Sequence, residues 1–155
     1  MSSHEPGSFR VREFARDDFR AICGIDQLCF SEAIAYTPQE MSLGLAQRGA
    51  FAYVAESGGN LVAFVLACQK KRHVGHIVTI DILPEFRRKG LGRTFMELAE
   101  RRFREKGAAR VVLEVNIQNE SAFRFYEEMG YTTTRLLASY YPDGSDAWLM
   151  EKALD

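Results

Sequence analysis

Residues 83–93 read L-P-E-F-R-R-K-G-L-G-R, and the reading of this stretch decides the fold. An apolar run from His76 to Leu83 precedes it and Pro84 stops that run, so a strand ends here. After Gly90 the period changes. Leu91, Phe95, Leu98, Ala99 and Phe103 share one helical face, while Glu97 with Arg101 and Glu100 with Arg104 sit i, i+4 apart on the other. The spacing predicts a helix from Gly90 to Lys106, closed by Gly107 as a C′ glycine. A strand that enters a helix through Gly90 and Gly92, with Leu91 between them, leaves backbone N–H groups unpaired at the positive end of the helix dipole. Such a turn suits a phosphate or pyrophosphate. Arg87, Arg88, Lys89 and Arg93 add positive charge around it.

On the N-terminal side, Phe9 and Val11 alternate with Arg10 and Arg12, a strand signal over Phe9 to Phe14. Asp17 and Asp18 then open a helix carrying Phe19, Ile22, Cys23 and Ile25. Thr37-Pro38-Gln39-Glu40 starts a second helix, with a capping-box Thr and Glu and Pro at the first helical position. Phe51 to Glu56 and Leu61 to Gln69 are strands about the hairpin turn S-G-G-N. On the C-terminal side, Val111 to Asn116 is a strand, and Ala122, Phe125, Tyr126 and Met129 repeat at helical spacing up to Gly130. Strands near Thr132 to Ala138 and Ala147 to Ala153 flank the turn P-D-G. The order is β-α-α-β-β-β-α-β-α-β-β, which predicts a mixed sheet with helices on both faces.

Composition sets the bounds. The 155 residues are 46% hydrophobic and 26% charged, with 20 basic against 21 acidic side chains and a formal charge of −1. These values suit one globular domain, placed at residues 9–155 after a disordered tail at 1–8. The charge balance gives no reason to expect nucleic acid or an anionic membrane as partner. Cys23, Cys29 and Cys68 form neither a disulfide framework nor a zinc spacing, which suits a reducing cytoplasm. The first eight residues have no apolar h-region, so no signal peptide is expected there, and the apolar run Leu61 to Cys68 is too short to span a bilayer. His73 and His76 have no third ligand type near them in sequence, so no metal is expected.

The turn is not a Walker A loop, and Phe95 stands where a dinucleotide fingerprint needs its third glycine. What remains is R-x-x-G-x-G, at Arg87, Gly90 and Gly92. Residues 113–131, L-E-V-N-I-Q-N-E-S-A-F-R-F-Y-E-E-M-G-Y, then match N-x-x-A-x-x-x-Y-x-x-x-G-[FY] at Asn119, Ala122, Tyr126, Gly130 and Tyr131. Together the two motifs resemble the GNAT family of N-acetyltransferases. The tail Y-Y-P-D-G-S-D-A-W-L-M resembles the last hairpin of its N-terminal acetyltransferases, especially the bacterial ribosomal-protein-alanine type. The resemblance runs from about His76 to the C-terminus. It implies an α/β (α+β) GNAT fold with a mixed, mostly antiparallel sheet of six to seven strands and about four helices. It also implies acetyl-CoA as co-substrate and no metal.

Amine acetylation needs a free-base amine, a polarised thioester and a proton for the departing thiolate. Glu114 is the odd residue in the apolar strand V-V-L-E-V. Burial would fit it to general-base work, while a structural pair with an arginine at a strand end is the plain alternative. The resemblance makes Glu114 the proton acceptor and Tyr126 the acid for the thiolate. Tyr126 also has the spacing of a core residue. By the same resemblance, residues 87–93 (Arg87, Arg88, Lys89, Gly90, Leu91, Gly92, Arg93) hold the pyrophosphate, and Asn119 and Tyr126 contact coenzyme A. Asn119 would serve equally as a helix N-cap. Backbone groups at Ile80, Asp81 and Ile82 meet the acetyl-pantetheine arm. Asp81 reads as either a second proton acceptor or a solvated strand-end acid, and the solvated reading is preferred.

Tyr140 and Tyr141 resemble tyrosines that line a peptide N-terminus, against plain cross-strand packing. The loop 29–36, C-F-S-E-A-I-A-Y, offers Phe30 and Tyr36 but lacks the Pro or Trp of related enzymes. The acceptor implied is a protein or peptide α-amino group. A small amine remains the alternative within enzymes, and a silent acetyl-CoA-binding module the alternative outside them. The expected assembly is a monomer or homodimer.

Overall fold

The structure, a computed structural model, describes residues 8–155; the tail reading falls almost wholly on residues 1–7, outside the described residues. Seven strands form one sheet in the order β1-β2-β3-β4-β5-β7-β6. They are β1 Arg10–Glu13, β2 Ala50–Ser57, β3 Asn60–Lys71, β4 Val74–Ile82, β5 Arg110–Asn116, β6 Thr132–Leu137 and β7 Ala147–Ala153. Every neighbouring pair is antiparallel except β4 and β5. That parallel step needs a crossover, which α3 Leu91–Glu105 supplies. The other helices are α1 Phe19–Cys29, α2 Pro38–Ala46 and α4 Glu120–Glu128. The element order is the one the sequence predicts, with single 3₁₀ turns added at Arg16–Asp18 and Pro84–Phe86.

Alternation along β3 builds both layers. Ala63, Val65 and Ala67 face α3, packing with Phe95, Met96, Ala99 and Phe103. Phe64 and Leu66 point the other way, onto Ile22, Cys23 and Ile25 of α1 and Met41 of α2. Val62–Cys68 is buried throughout because helices cover both faces of this central strand. The α2 start is the expected capping box: Glu40 N–H donates to Thr37 Oγ1 at 3.1 Å, and Thr37 N–H to Glu40 Oε1 at 2.9 Å.

Two polar readings of the sequence change. Asp18 does not cap α1 through its side chain; it is buried and takes a two-pronged bond from Arg12 at 2.8 and 2.9 Å, tying β1 to the helix start. Glu100 does not decorate the solvent face. It is 3% exposed and accepts from Tyr131 Oη at 2.8 Å and Lys152 Nζ at 2.9 Å, with Arg104 at 4.0 Å. Those partners come from beyond α4 and from β7, so helical spacing alone could not reveal them. No helix among the described residues is long and apolar enough to cross a membrane.

Gly75 fixes how closely α3 lies on β4. A Cβ there would stand 2.5 Å from the ring of the fully buried Phe103. Overpacking of this kind costs about 1–3 kcal/mol. Gly75→Ala is therefore expected to lower unfolding stability by that amount in urea, whereas Gly59→Ala on the open hairpin turn tests only the left-handed backbone cost (φ +82°). Equal stability of Gly75→Ala and wild type would contradict this packing.

Candidate active site

The parallel pair is short. Only Val74–Ile77 of β4 pair with Arg110–Leu113 of β5. On its outer edge β4 stays paired with β3 as far as Ile82, and β5 stays paired with β7 as far as Asn116. Beyond Ile77 and Leu113 the two central strands therefore part, each held from outside. A bulge marks the parting: Leu66 opposes Thr79 and Ala67 opposes Ile77, which leaves Val78 as the extra residue. The inner edge of β4 beyond Ile77 has no strand partner, so its backbone groups short of the Ile82 carbonyl are open to a ligand. The gap widens into a cavity of about 950 Å³. Its walls are β4 and β5 at the parting, the loop from Cys29 to Thr37, the start of α4, and Tyr140–Pro142.

Glu114 lies in this gap. Its side chain is 16% exposed and Oε1 sits 2.7 Å from His76 Nε2. The partner is thus a histidine on the neighbouring strand. The arginine of the structural alternative is absent from the described contacts of Glu114, and Tyr140 stands at its other side. His76 is the residue that sequence reasoning missed, having been weighed only as a metal ligand. The available signal was a titratable residue in each of two apolar runs, His76 before I-V and Glu114 in V-V-L-E-V. Tyr126 projects from α4 into the same cavity, its ring edge-on to Phe125 and Tyr131. Burial, then the charge of Asp81, pushes its phenol above the ordinary value, so it stays protonated at neutral pH. Asn119 is the α4 N-cap, accepting Ala122 N–H at 3.1 Å, and it also lines the cavity.

Phe30, Tyr36, Tyr140 and Tyr141 all line the cavity. Tyr140 and Tyr141 are neighbours in the β6–β7 loop, edge-to-face at 4.9 Å, and they pack on each other instead of across strands. Asn116 Nδ2 donates to Ser145 Oγ at 2.9 Å and so ties that loop to β5. Burial, then Glu114, raises both phenols. Tyr36 is pushed up to about 12, by burial first and then by Asp26. Ile80 also lines the cavity, but Asp81 does not. Asp81 is 1% exposed, which overturns its reading as a solvated strand-end acid. It lies opposite Phe64 and turns toward α1.

The glycine turn stands outside the cavity wall at the start of α3. Arg88 and Gly90 are both left-handed, at φ 61° and 89°, which is unusual for an arginine. The α3 N-cap is Gly90, with no side-chain cap. The first-turn N–H groups of α3 therefore have no protein acceptor. Arg88, Lys89 and Arg93 are exposed beside them. Arg87 differs: its Nε donates back to Ile82 O at 2.8 Å, and it braces the strand end. That bond, with the Cys29 thiol at 3.5 Å, occupies the Ile82 carbonyl.

Residues 11–131 match the acetyltransferase (GNAT) family. The chain belongs to that family. An uncharacterized N-acetyltransferase of Methanocaldococcus jannaschii is 34% identical over 146 residues, 92% of this chain and 90% of its own. An N-alpha-acetyltransferase of Sulfurisphaera tokodaii is 29% identical, covering 94% of this chain and 93% of its own. Among solved structures, Ard1 from Thermoplasma volcanium aligns with TM-score 0.86 at 28% identity, covering 95% of this chain and 98% of that one. The protein is an acetyl-CoA-dependent N-acetyltransferase with the GNAT fold.

The chain's groups fit acetyl-CoA. The uncapped α3 N-terminus and three exposed cations suit a pyrophosphate, and the unpaired edge of β4 suits the amide-bearing pantetheine arm. At Gly92 a Cβ would press on the Phe125 ring at 3.1 Å, so the turn lies close against α4 with little room to spare. Acetyl-CoA is expected to stabilise the protein by about 2.7 kcal/mol at a hundredfold excess over Kd. Gly92→Trp, checked for folding by circular dichroism, should lose that thermal shift. A full shift in the folded variant would remove this turn from the nucleotide site.

Proposed function

We propose that the acceptor is the N-terminal α-amino group of a protein or peptide, acetylated by direct attack in a ternary complex. The observation that carries the reading is the position of Glu114, at the parting of β4 and β5, with His76 bonded behind it and Tyr140 beside it. One carboxylate can take the proton of an α-amine, whose pKa is about 7.7–8.0. A lysine amine, at about 10.4, asks far more of the same base. His76, partly exposed, gives that proton a path to solvent. The new N–C bond then forms as the C–S bond breaks. Tyr126, still protonated, gives its proton to the leaving sulfur.

The cavity wall supports the same acceptor. Phe30, Tyr36, Tyr140 and Tyr141 form a mostly aromatic mouth, able to hold a peptide backbone by ring faces and hydroxyls. The curated relative from Sulfurisphaera tokodaii is named for α-amino acetylation, which points the same way. The alanine terminus of a ribosomal protein is the finer case that the C-terminal hairpin suggests.

Two peptides and a panel of polyamines, aminoglycosides and free amino acids, offered at equal concentration, test the acceptor. A short peptide with a free N-terminal alanine should be turned over best by kcat/KM. The same peptide, blocked at its N-terminus and carrying an internal lysine, should be poor. Turnover of a small amine alone would overturn the N-terminal reading and leave the family assignment intact. With the alanine peptide, Glu114→Gln should cost about 10²–10⁴-fold in kcat/KM near neutral pH. The loss should shrink at alkaline pH, where the amine is already a free base. A uniform loss across pH would make Glu114 a positioning group.

A further inference from the structure

Two acids that the chemistry above does not use lie just behind the acceptor wall. Asp26, on the last turn of α1, is 0% exposed, and Asp81, on β4, is 1% exposed. Each has one oxygen accounted for. Asp26 Oδ2 accepts the Tyr36 backbone N–H at 2.7 Å, and Asp81 Oδ1 accepts the Thr79 hydroxyl at 2.5 Å. Asp26 Oδ1 and Asp81 Oδ2 have no partner among the described groups. The Asp26 carboxyl nevertheless stands close enough to act directly on Asp81, so that a proton on one carboxyl is within reach of the other. Two adjacent buried carboxylates cannot both carry charge cheaply, and one proton between them satisfies both orphan oxygens.

The surroundings favour that proton. Burial, then the Asp26 carboxylate, pushes Asp81 well above the ordinary carboxyl range, against the opposing pull of Thr79 and Arg87. From α1, Cys23 and Cys29 face these acids. Tyr36 faces them from the loop and Tyr126 from α4. Burial is the first cause raising each of these four groups, and all are neutral at pH 7. Arg87, from the turn after β4, is the cation on this side.

We propose that the proton shared by Asp26 and Asp81 is the joint that fixes the acceptor loop, residues 30–36, and that the two acids are positioning residues for acceptor binding. The inference rests on the reading that this loop walls the acceptor site. Asp26 reaches the loop through one bond, to the Tyr36 N–H, and Tyr36 lines the cavity. With the proton in place Asp26 stays docked against β4. Without it two buried negative charges repel, and the anchor of Tyr36 loosens. The sign follows from linkage. Asp81 holds its proton in the folded chain above the pH, about 3.9, at which the unfolded chain releases it. This contribution to stability is whole below that value and is lost as pH rises through the raised folded value.

Asp81→Asn places a permanent amide donor where the proton lies. Amide exchange at Tyr36, corrected for intrinsic chemical rates, is expected to accelerate in wild type as pH rises above the ordinary carboxyl range and through the raised Asp81 value. It should stay flat in Asp81→Asn. With the alanine peptide, wild-type acceptor KM should rise over the same range. Asp26→Ala should raise acceptor KM about ten-fold at every pH, with kcat and the KM for acetyl-CoA near wild type. Should Asp81→Asn fail to fold, Asp26→Asn presents the same donor from the other side and carries the same flat profile. A wild-type pH rise retained in the Asn variant overturns the joint. So does an Asp26→Ala loss that falls equally on acetyl-CoA. The exchange measurement uses no acceptor, so a peptide that is never acetylated would sink the N-terminal reading and leave this test standing.

Discussion

A parallel strand pair that ends after four residue pairs is the constraint on which this structure depends. Backbone N–H and C=O groups inside a protein must find partners. Here β3 and β7 hold β4 and β5 from outside, and the inner edge of β4 beyond Ile77 is left without a strand partner. The bulge at Val78 sets where the parting begins. Everything chemical collects there. Glu114 and His76 meet beside the last paired residues, α4 brings Tyr126 and Asn119 to the cavity, and the β6–β7 loop brings Tyr140 and Tyr141.

The glycine turn and the cavity differ in charge. The turn opens α3 without a side-chain cap, among exposed cations, which suits a doubly charged pyrophosphate. The cavity is lined by aromatic rings and by Asp26, Glu32, Glu40 and Glu114, with no lysine or arginine. The turn thus suits an anionic cofactor and the cavity lining a cationic amine. The polar interior holds the frame for this. Glu100 joins α3 to β7 through Lys152, and Arg12 joins β1 to Asp18. Removing one partner from such a buried set costs more than the set itself contributes.

Much of this was legible in the sequence, because the signals were local. Periodicity and turn chemistry gave every strand and helix within a few residues, and the Thr37–Glu40 capping box is present atom for atom. The glycine turn showed in the sequence as an uncapped helix start, and the Asn119–Tyr131 motif supplied two residues that line the cavity, Asn119 and Tyr126. What escaped depends on which elements become neighbours. His76 meets Glu114 only because β4 and β5 are adjacent, although 38 residues separate them. Asp81 is buried only because α1 covers the bulged strand, and Arg87 turns back only because the Ile82 carbonyl is free to accept it. Glu100 is drawn inward by Tyr131 and Lys152, 31 and 52 residues away. Helical and strand periods carry no information about such partners.

The central claim is that the unpaired inner edge of β4 is the seat of the acetyl-pantetheine arm. Residue-resolved amide exchange with and without saturating acetyl-CoA tests it directly. The account predicts new protection confined to two places, the β4 stretch from Val78 to Ile82 and the α3 start at Gly90–Arg93, with the β2–β3 hairpin turn unchanged. Protection that spares Val78–Ile82 while another surface becomes protected would contradict it.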